Sequence, residues 1–254
     1  MVCATFRFYD GLNDFLARER RGRAFDASCA REATTKHMIE ALGVPHTEVE
    51  LILVNGVSTG LDTLIEAGDR IAVYPRFSSL DLGDMSDGAR IAPRPPGRLR
   101  FVADAHLGAL ARLLRMAGFD TIYDKAIDGD AIEALALDEG RIVLSRDREL
   151  LKRRAVEYGA YVRALEPQAQ LRELFERFDL TERARPFTLC LHCNAPLRPA
   201  AKEEVLDRLP PMVRAAQHEF STCDVCRRVY WKGSHWQRMA GMLDAAAGGH
   251  DDRD

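Results

Sequence analysis

The sequence predicts an α/β protein with a mostly parallel sheet at its centre, a small α+β domain ahead of it and a cysteine-built ribbon behind it. Three observations predict this. Composition breaks near residue 80, where DLGDMSDGARIAPRPPGR (81–98) carries Asp, Gly and Pro without apolar periodicity. Strand and helix patterns alternate through residues 99–180, the order that gives parallel strands covered by helices on both faces. Two Cys-x-x-C hooks follow, at 190–193 and 223–226. The expected parts are therefore a domain over 1–80, a linker over 81–98, an α/β domain over 99–185, a ribbon over 186–240 and a frayed tail over 241–254. A length of 254 residues suits two or more domains of ordinary size.

In the first domain Ala4, Phe6 and Phe8 alternate with Thr5, Arg7 and Tyr9, the period of a strand with one buried face. Residues 23–28 pair back as a second strand. Residues 33–42 place Met38, Ile39 and Leu42 at helical spacing, and Gly43 stops that helix. VELILV (49–54) is a strand ended by the Asn55-Gly56 turn, and RIAVY (70–74) is another, ended at Pro75. Two strands, a helix and two strands is the order of the ubiquitin-like β-grasp.

In the second domain LRFVAD is a strand entering Asp104, 107–117 is a helix with Leu107, Leu110 and Leu114 on one face, and TIY is a short strand. Residues 130–139 form a helix stopped by Gly140. RIVLS is a strand entering Arg146-Asp147, 148–154 a helix, AYVRAL a strand, and Pro167 opens a last helix to Phe178. Functional groups of an open parallel sheet gather beyond the carboxyl ends of its strands. Asp104 and Asp147 stand there on separate strands, and Asp128 or Asp130 adds a third carboxylate. Clustered carboxylates repel one another unless a cation neutralises them. Hard oxygen ligands suit Mg²⁺ or Mn²⁺, and metal-dependent phosphodiester hydrolysis is the chemistry that fits. An Asp at a strand end is equally a helix N-cap, and spacing alone does not separate the two roles. His106 beside Asp104 is read as a surface or packed residue, and Arg115 and Arg148 are read as surface residues.

Cys190, Cys193, Cys223 and Cys226 present four thiolates from two tight turns, with 29 residues between the hooks. That spacing predicts a closed, structural Zn²⁺ site holding a ribbon with little apolar core of its own. After the second hook, RRVYWKGSHWQRM interleaves Tyr230, Trp231, His235 and Trp236 with Arg227, Arg228, Lys232 and Arg238. Such a mixture suits the bases and phosphates of a single strand, and packing within the ribbon accounts for the aromatics equally well.

Charge narrows the function classes. The formal net charge is -3, so no whole-molecule field announces nucleic acid, but residues 186–240 carry eight basic and five acidic side chains. The longest stretch free of Asp, Glu, Lys and Arg runs only from Pro186 to Leu197, too short for a membrane span. The N-terminus MVCATFRFYDG lacks the pattern of a secretion signal, so a cytoplasmic protein is expected, with Cys3 and Cys29 as ordinary small apolar residues.

Residues 100–240 resemble the Mut-seven C-terminal RNase family of PIN-like nucleases. The stretches that carry the resemblance are FVADAHLGALARLLRMAGFDT, EGRIVLSRDRELL, CNAPL and CDVCRRVYWKGSH. Residues 1–80 resemble the ubiquitin-like module that often precedes this domain, and the sulfur-carrier branch of that fold in ALG, VNG and GDRIAVYP. Carriers act through a free C-terminal Gly-Gly, whereas here the strand runs on into SSLDLGDM, so a contact-making module is expected. The resemblance implies a PIN-like three-layer fold and cleavage of single-stranded RNA with Mg²⁺ or Mn²⁺. It makes Asp104 the first acid, Asp147 the acid of the (S/T)-x-D motif and Ser145 its hydroxyl. Asp128 and Asp130 both qualify as the intermediate acid. Arg112 and Arg146 match positions that are often basic and are expected on substrate phosphate, with Lys232 and His235 of the ribbon as further substrate contacts. A protein partner through residues 1–80 is a further expectation. The competing expectation is an RNA-binding or adaptor protein that keeps the fold without turnover.

Overall fold

The structure is a computed structural model and describes residues 1–75 and 97–248. The linker, except for its last two residues, and the end of the tail lie outside the described residues. The chain divides into two compact units that interleave along the sequence. One joins Met1–Arg98 to Asp128–Tyr161, and the other joins Leu99–Ile127 to Val162–Asp254.

The first unit opens on β1 (Val2–Phe8), whose inward Ala4, Phe6 and Phe8 are fully buried. It pairs antiparallel with β2 (Phe25–Cys29) and parallel with β5 (Arg70–Pro75). α1 (Thr35–Ala41) starts where the Thr34 hydroxyl accepts the His37 amide at 3.2 Å. β3 (Val49–Val54) joins β4 (Val57–Thr59) through Asn55 and Gly56, at φ 53° and 85°. Two successive positive φ values match a two-residue hairpin turn. The sheet order is β2-β1-β5-β3-β4, and α1 buries Met38 and Ile39 in its core. The sequence reading ends β3 at this turn. The return strand β4 has only three residues and no buried side chain, so it left no apolar signal.

The same unit contains α3 (Gly129–Glu139), β8 (Ile142–Ser145), α4 (Arg148–Leu151) and β9 (Gly159–Tyr161). Gly140 ends α3 in the left-handed conformation. β8 is buried along its whole length and pairs parallel with β9. α4 is shorter than the expected 148–154.

The second unit contains β6 (Phe101–Ala103), α2 (Gly108–Met116), β7 (Thr121–Ile122) and α5 (Pro167–Phe178). β6 and β7 pair parallel. Phe101, Phe119, Phe175 and Phe178 pack edge to face, with centroids about 6 Å apart. The expected strand AYVRAL stops at Tyr161, since the Glu173 carboxylate of α5 accepts the amides of Arg163 and Ala164 and takes the place of a ladder.

The ribbon holds an antiparallel sheet of β10 (Leu197–Ala200), β11 (Phe220–Cys223) and β12 (Val229–Trp231), in that order, with the short helices α6 (Lys202–Val205) and α7 (Pro211–Ala216) before β11. α8 (Ser234–Ala247) follows and packs on α5. The ribbon has little apolar core: Val205, Leu209 and Phe220 form a small buried cluster with Trp231 against it.

Candidate active site and metal centre

Asp104 is the first residue beyond β6 and is 8% exposed. Its Oδ1 accepts the His106 amide at 2.9 Å, and Leu107 closes the turn with an amide bond to the Asp104 carbonyl. Arg112 lies on the exposed face of the helix that follows.

In the other unit, β8 delivers the Ser145-Arg146-Asp147 turn. Ser145 is fully buried, and its Oγ accepts the Asp147 amide at 2.8 Å. A fully buried hydroxyl bonded this way orients the backbone at Asp147. Asp147 itself is exposed and caps α4, with Oδ1 accepting the Glu149 amide at 2.8 Å. Asp128 caps α3 in the same manner, with Oδ1 2.9 Å from the Ala131 amide. Asp130 is 90% exposed and pairs with Arg153 at 2.6 Å, while Glu133 takes the same guanidinium at 2.9 Å. Arg146 is half-buried and already engaged by a neighbour.

Asp128 and Asp147 form the N-cap bonds that the capping reading requires, whereas the Asp104 carboxylate accepts an amide in the turn ahead of α2 and caps no helix, the N-cap of α2 being Leu107. Each such bond occupies one carboxylate oxygen, and a carboxylate has two oxygens with about four acceptor directions. Carboxylate oxygens are hard donors of the kind that suit Mg²⁺ or Mn²⁺.

The four cysteines form a second centre. Their Sγ atoms all lie within 4.8 Å of one another, with Cys190 to Cys226 at 3.5 Å and Cys193 to Cys223 at 3.4 Å. Tetrahedral coordination at about 2.3 Å per sulfur sets the sulfurs about 3.8 Å apart, so this cluster could hold a metal ion. In the metal-free chain, burial works against ionising Cys190. The Tyr230 hydroxyl and the amides of Cys193 and His192 outweigh it and bring the thiol to about 6. Burial pushes Cys193 up to about 12 and raises Cys226.

The ribbon's aromatics are engaged in packing. The Tyr230 hydroxyl lies 3.1 Å from Cys190 Sγ, Trp231 packs on the small core, and Trp236 stacks against Phe187 at 4.8 Å. Lys232 is exposed and pairs with Glu219 at 2.8 Å. The side chain of His235 lies outside the described residues.

Two arginines expected at the surface are not there. Arg115 on α2 is 4% exposed and donates to the carbonyls of Thr121, Leu191 and His192. Asn194, left-handed at φ 66°, continues this seam by accepting the Thr121 amide and donating to Asp120. The first cysteine hook is thereby fastened to the α2–β7 corner. Arg148 is half-buried and packs over Phe15. No residue type marks such roles in advance, although an Asn after the second hook cysteine is a legible left-handed signal.

Residues 99–243 match the family model described as the Mut7-C RNAse domain, and residues 1–81 match that described as Mut7-C ubiquitin. Two solved structures resemble the chain, both from Haloferax volcanii and both of small archaeal modifier protein 1. Each is 18% identical with a TM-score of 0.25; one covers 30% of this chain and 98% of its own, the other 31% and 99%. No curated protein matches. Among the described residues no helix is long and apolar enough to cross a membrane. With an RNase-type domain over more than half its length and a ubiquitin-like domain ahead of it, the chain belongs to the Mut7-C RNAse domain family.

Proposed function

We propose that this chain is a divalent-metal-dependent endoribonuclease that hydrolyses phosphodiester bonds of single-stranded RNA in the cytoplasm. The observation that carries the reading is the RNase family match over residues in which Asp104 and Asp147 each stand at the carboxyl end of a parallel strand. Asp104 and Asp147 would hold Mg²⁺ or Mn²⁺, with Asp128 or Asp130 as the third carboxylate. Asp128 is the stronger of the two, because Asp130 is already paired with Arg153. A divalent ion held there supplies Lewis-acid stabilisation of developing charge on phosphoryl oxygens.

The chain's own residues do the rest. The backbone amides of His106 and Glu149 fix the rotamers of the two principal carboxylates, and Ser145 holds the backbone amide of Asp147. Arg112 and Arg146 bind substrate phosphate, where a guanidinium offers a bidentate fork. Water oxygen attacks phosphorus, the bond from phosphorus to the leaving oxygen breaks, and the proton lost by water returns to that oxygen through solvent. The four cysteines hold Zn²⁺ as a closed structural site. Lys232 and His235 extend the substrate path along the locally basic ribbon.

The capping bonds of Asp128 and Asp147 favour one second reading, an RNA-binding or adaptor protein without turnover. One experiment tests both. Wild type, Asp104→Asn and Asp147→Asn are compared for cleavage of a single-stranded RNA with Mn²⁺, after circular dichroism establishes that all are folded. Loss of two or more orders of magnitude in both variants is expected, the usual scale for removing a principal electrostatic group. Equal cleavage by all three proteins assigns the activity elsewhere, and no cleavage by wild type favours the adaptor.

A further inference from the structure

The ubiquitin-like domain carries no chemistry of its own in the reading above, yet one of its edges is buried. His46, Thr47 and Glu48, in the turn between α1 and β3, are 7%, 8% and 3% exposed. Their covering is residues 148–161 of the same compact unit. His46 Nε2 lies 2.9 Å from the Val156 carbonyl, and its Nδ1 lies 2.7 Å from Glu40 Oε1, so the ring is fixed at both nitrogens. Glu48 Oε1 accepts the Tyr161 amide at 2.8 Å. Gly159 runs so close that an added Cβ would meet Thr47 Cγ2 at 3.1 Å and Leu151 Cδ2 at 2.8 Å.

The last part of this seam reaches the catalytic turn. Arg148, the residue after Asp147, donates from Nη1 to the Phe15 carbonyl at 3.1 Å. Its guanidinium lies 4.9 Å from the centroid of the Phe15 ring and 5.8 Å from that of Tyr161, and these two rings meet edge to face at 5.1 Å. Arg148 also opens α4, a helix of only four residues. One turn of helix is not stable by itself and takes its position from tertiary contacts. Residues 14–15 of the ubiquitin-like domain hold the start of this one through Arg148, beside its packing on β8 and β9.

We infer that the ubiquitin-like domain is a built-in clamp for the nuclease centre, and that Arg148 is the positioning residue through which it holds the Asp147 turn. The inference rests on the nuclease reading for its consequence but not for its geometry. A half-buried cation over two rings, with a carbonyl at its end, defines one direction for the first residue of α4. Ser145 defines the other side of the turn. Asp147 is fixed between them. The face of residues 46–48 is thereby used within the chain, which leaves the expected protein partner to other surfaces of residues 1–75.

Hydrogen exchange on the full-length protein tests the clamp without any assay of turnover. Arg148→Ala is expected to speed exchange of the amides in 147–161 by about tenfold or more, while β1, β5 and α2 keep their protection. Arg148→Lys, which retains a cation able to reach the Phe15 carbonyl, is expected to restore most of it. Unchanged exchange over 147–161 in Arg148→Ala overturns the clamp. Should that variant fail to fold, Glu48→Gln weakens the bond to the Tyr161 amide and is read by the same peptides and the same criterion. In the cleavage assay, Arg148→Ala is expected to lower kcat about tenfold and to raise the Mn²⁺ concentration at half-saturation, with KM for RNA unchanged and Arg148→Lys again restoring it. A rise in KM alone would make Arg148 a substrate contact and overturn its positioning role. Lost protection in a protein that never cleaves RNA supports the clamp and removes the nuclease reading instead.

Discussion

Arg115 shows what one side chain contributes when its charge is buried. Burial pushes its guanidinium down from its ordinary value, and the neighbouring Cys190, Cys193 and Asp120 oppose that shift. Its donors end on three carbonyls, two of them in the first cysteine hook. Removing a charged donor from buried acceptors leaves each of them desolvated and unpaired. Arg115→Met is therefore expected to destabilise the zinc-loaded protein by about 2–4 kcal/mol. Arg115→Lys should recover less than half, because one ammonium cannot serve three divergent carbonyls. Urea denaturation with zinc in slight excess checks both, and a Met variant as stable as wild type refutes the role. Sequence could not reveal this residue. An arginine on a predicted helix defaults to solvent, and the acceptors that bury it are backbone carbonyls, which no residue type marks. Asp104 and Asp147 were legible for the opposite reason. Their placement follows from strand ends, and strand ends follow from the apolar runs FVA and IVLS.

Among elements, the two hooks depend most on what surrounds them. In the metal-free chain, Cys190 reaches its thiolate near neutrality while Cys193 and Cys226 hold their protons. The sign for stability follows from Cys190. Its folded pKa is depressed, so its contribution is present above the unfolded value and is lost as pH falls through about 6. The raised thiols act in the other sense and resist charge until a cation enters. Zinc binding then expels more than one proton, and its apparent affinity should rise more than about tenfold per pH unit between 6 and 8. Competition with a chromophoric chelator across that range measures it, and a pH-independent affinity would exclude the four-thiolate site. A second element-level prediction concerns the corner after α2. Gly118 sits at φ +90°, and a Cβ there would fall 2.1 Å from the Arg185 carbonyl oxygen. Gly118→Ala is expected to cost about 3 kcal/mol or more, since neither the backbone angle nor the neighbouring chain can accommodate it. Thermal unfolding reads this directly. The hooks were legible because a metal site requires its spacing. The small ribbon core was not, because Val205 ends α6, Leu209 lies in the bend before α7 and Phe220 opens β11, without shared periodicity.

At the scale of the molecule, the order of parts along the chain is not the order of compact units. Residues 128–161 belong to the nuclease domain by sequence, but they pack in one unit with Met1–Arg98. A linear reading could not show this, because motifs locate segments and leave their packing partners open. The interleaving has a consequence for cutting the chain. If residues 1–75 were held only by the linker, cleavage within 81–96 would release them. They also make the His46, Glu48 and Arg148 contacts, which are part of a buried seam rather than exposed ion pairs. A specific protease site inserted between Gly83 and Asp84 should therefore yield two fragments that elute together in size-exclusion chromatography at physiological salt. They should part only in denaturant. His46→Ala would remove the buried bond to the Val156 carbonyl across the seam along with that to Glu40, at a cost of about 1–3 kcal/mol, or about 5- to 160-fold weaker association of the nicked halves. Fragments of the nicked wild type that separate without denaturant would show the seam to be too weak to hold the domain, and with it the turn that carries Asp147.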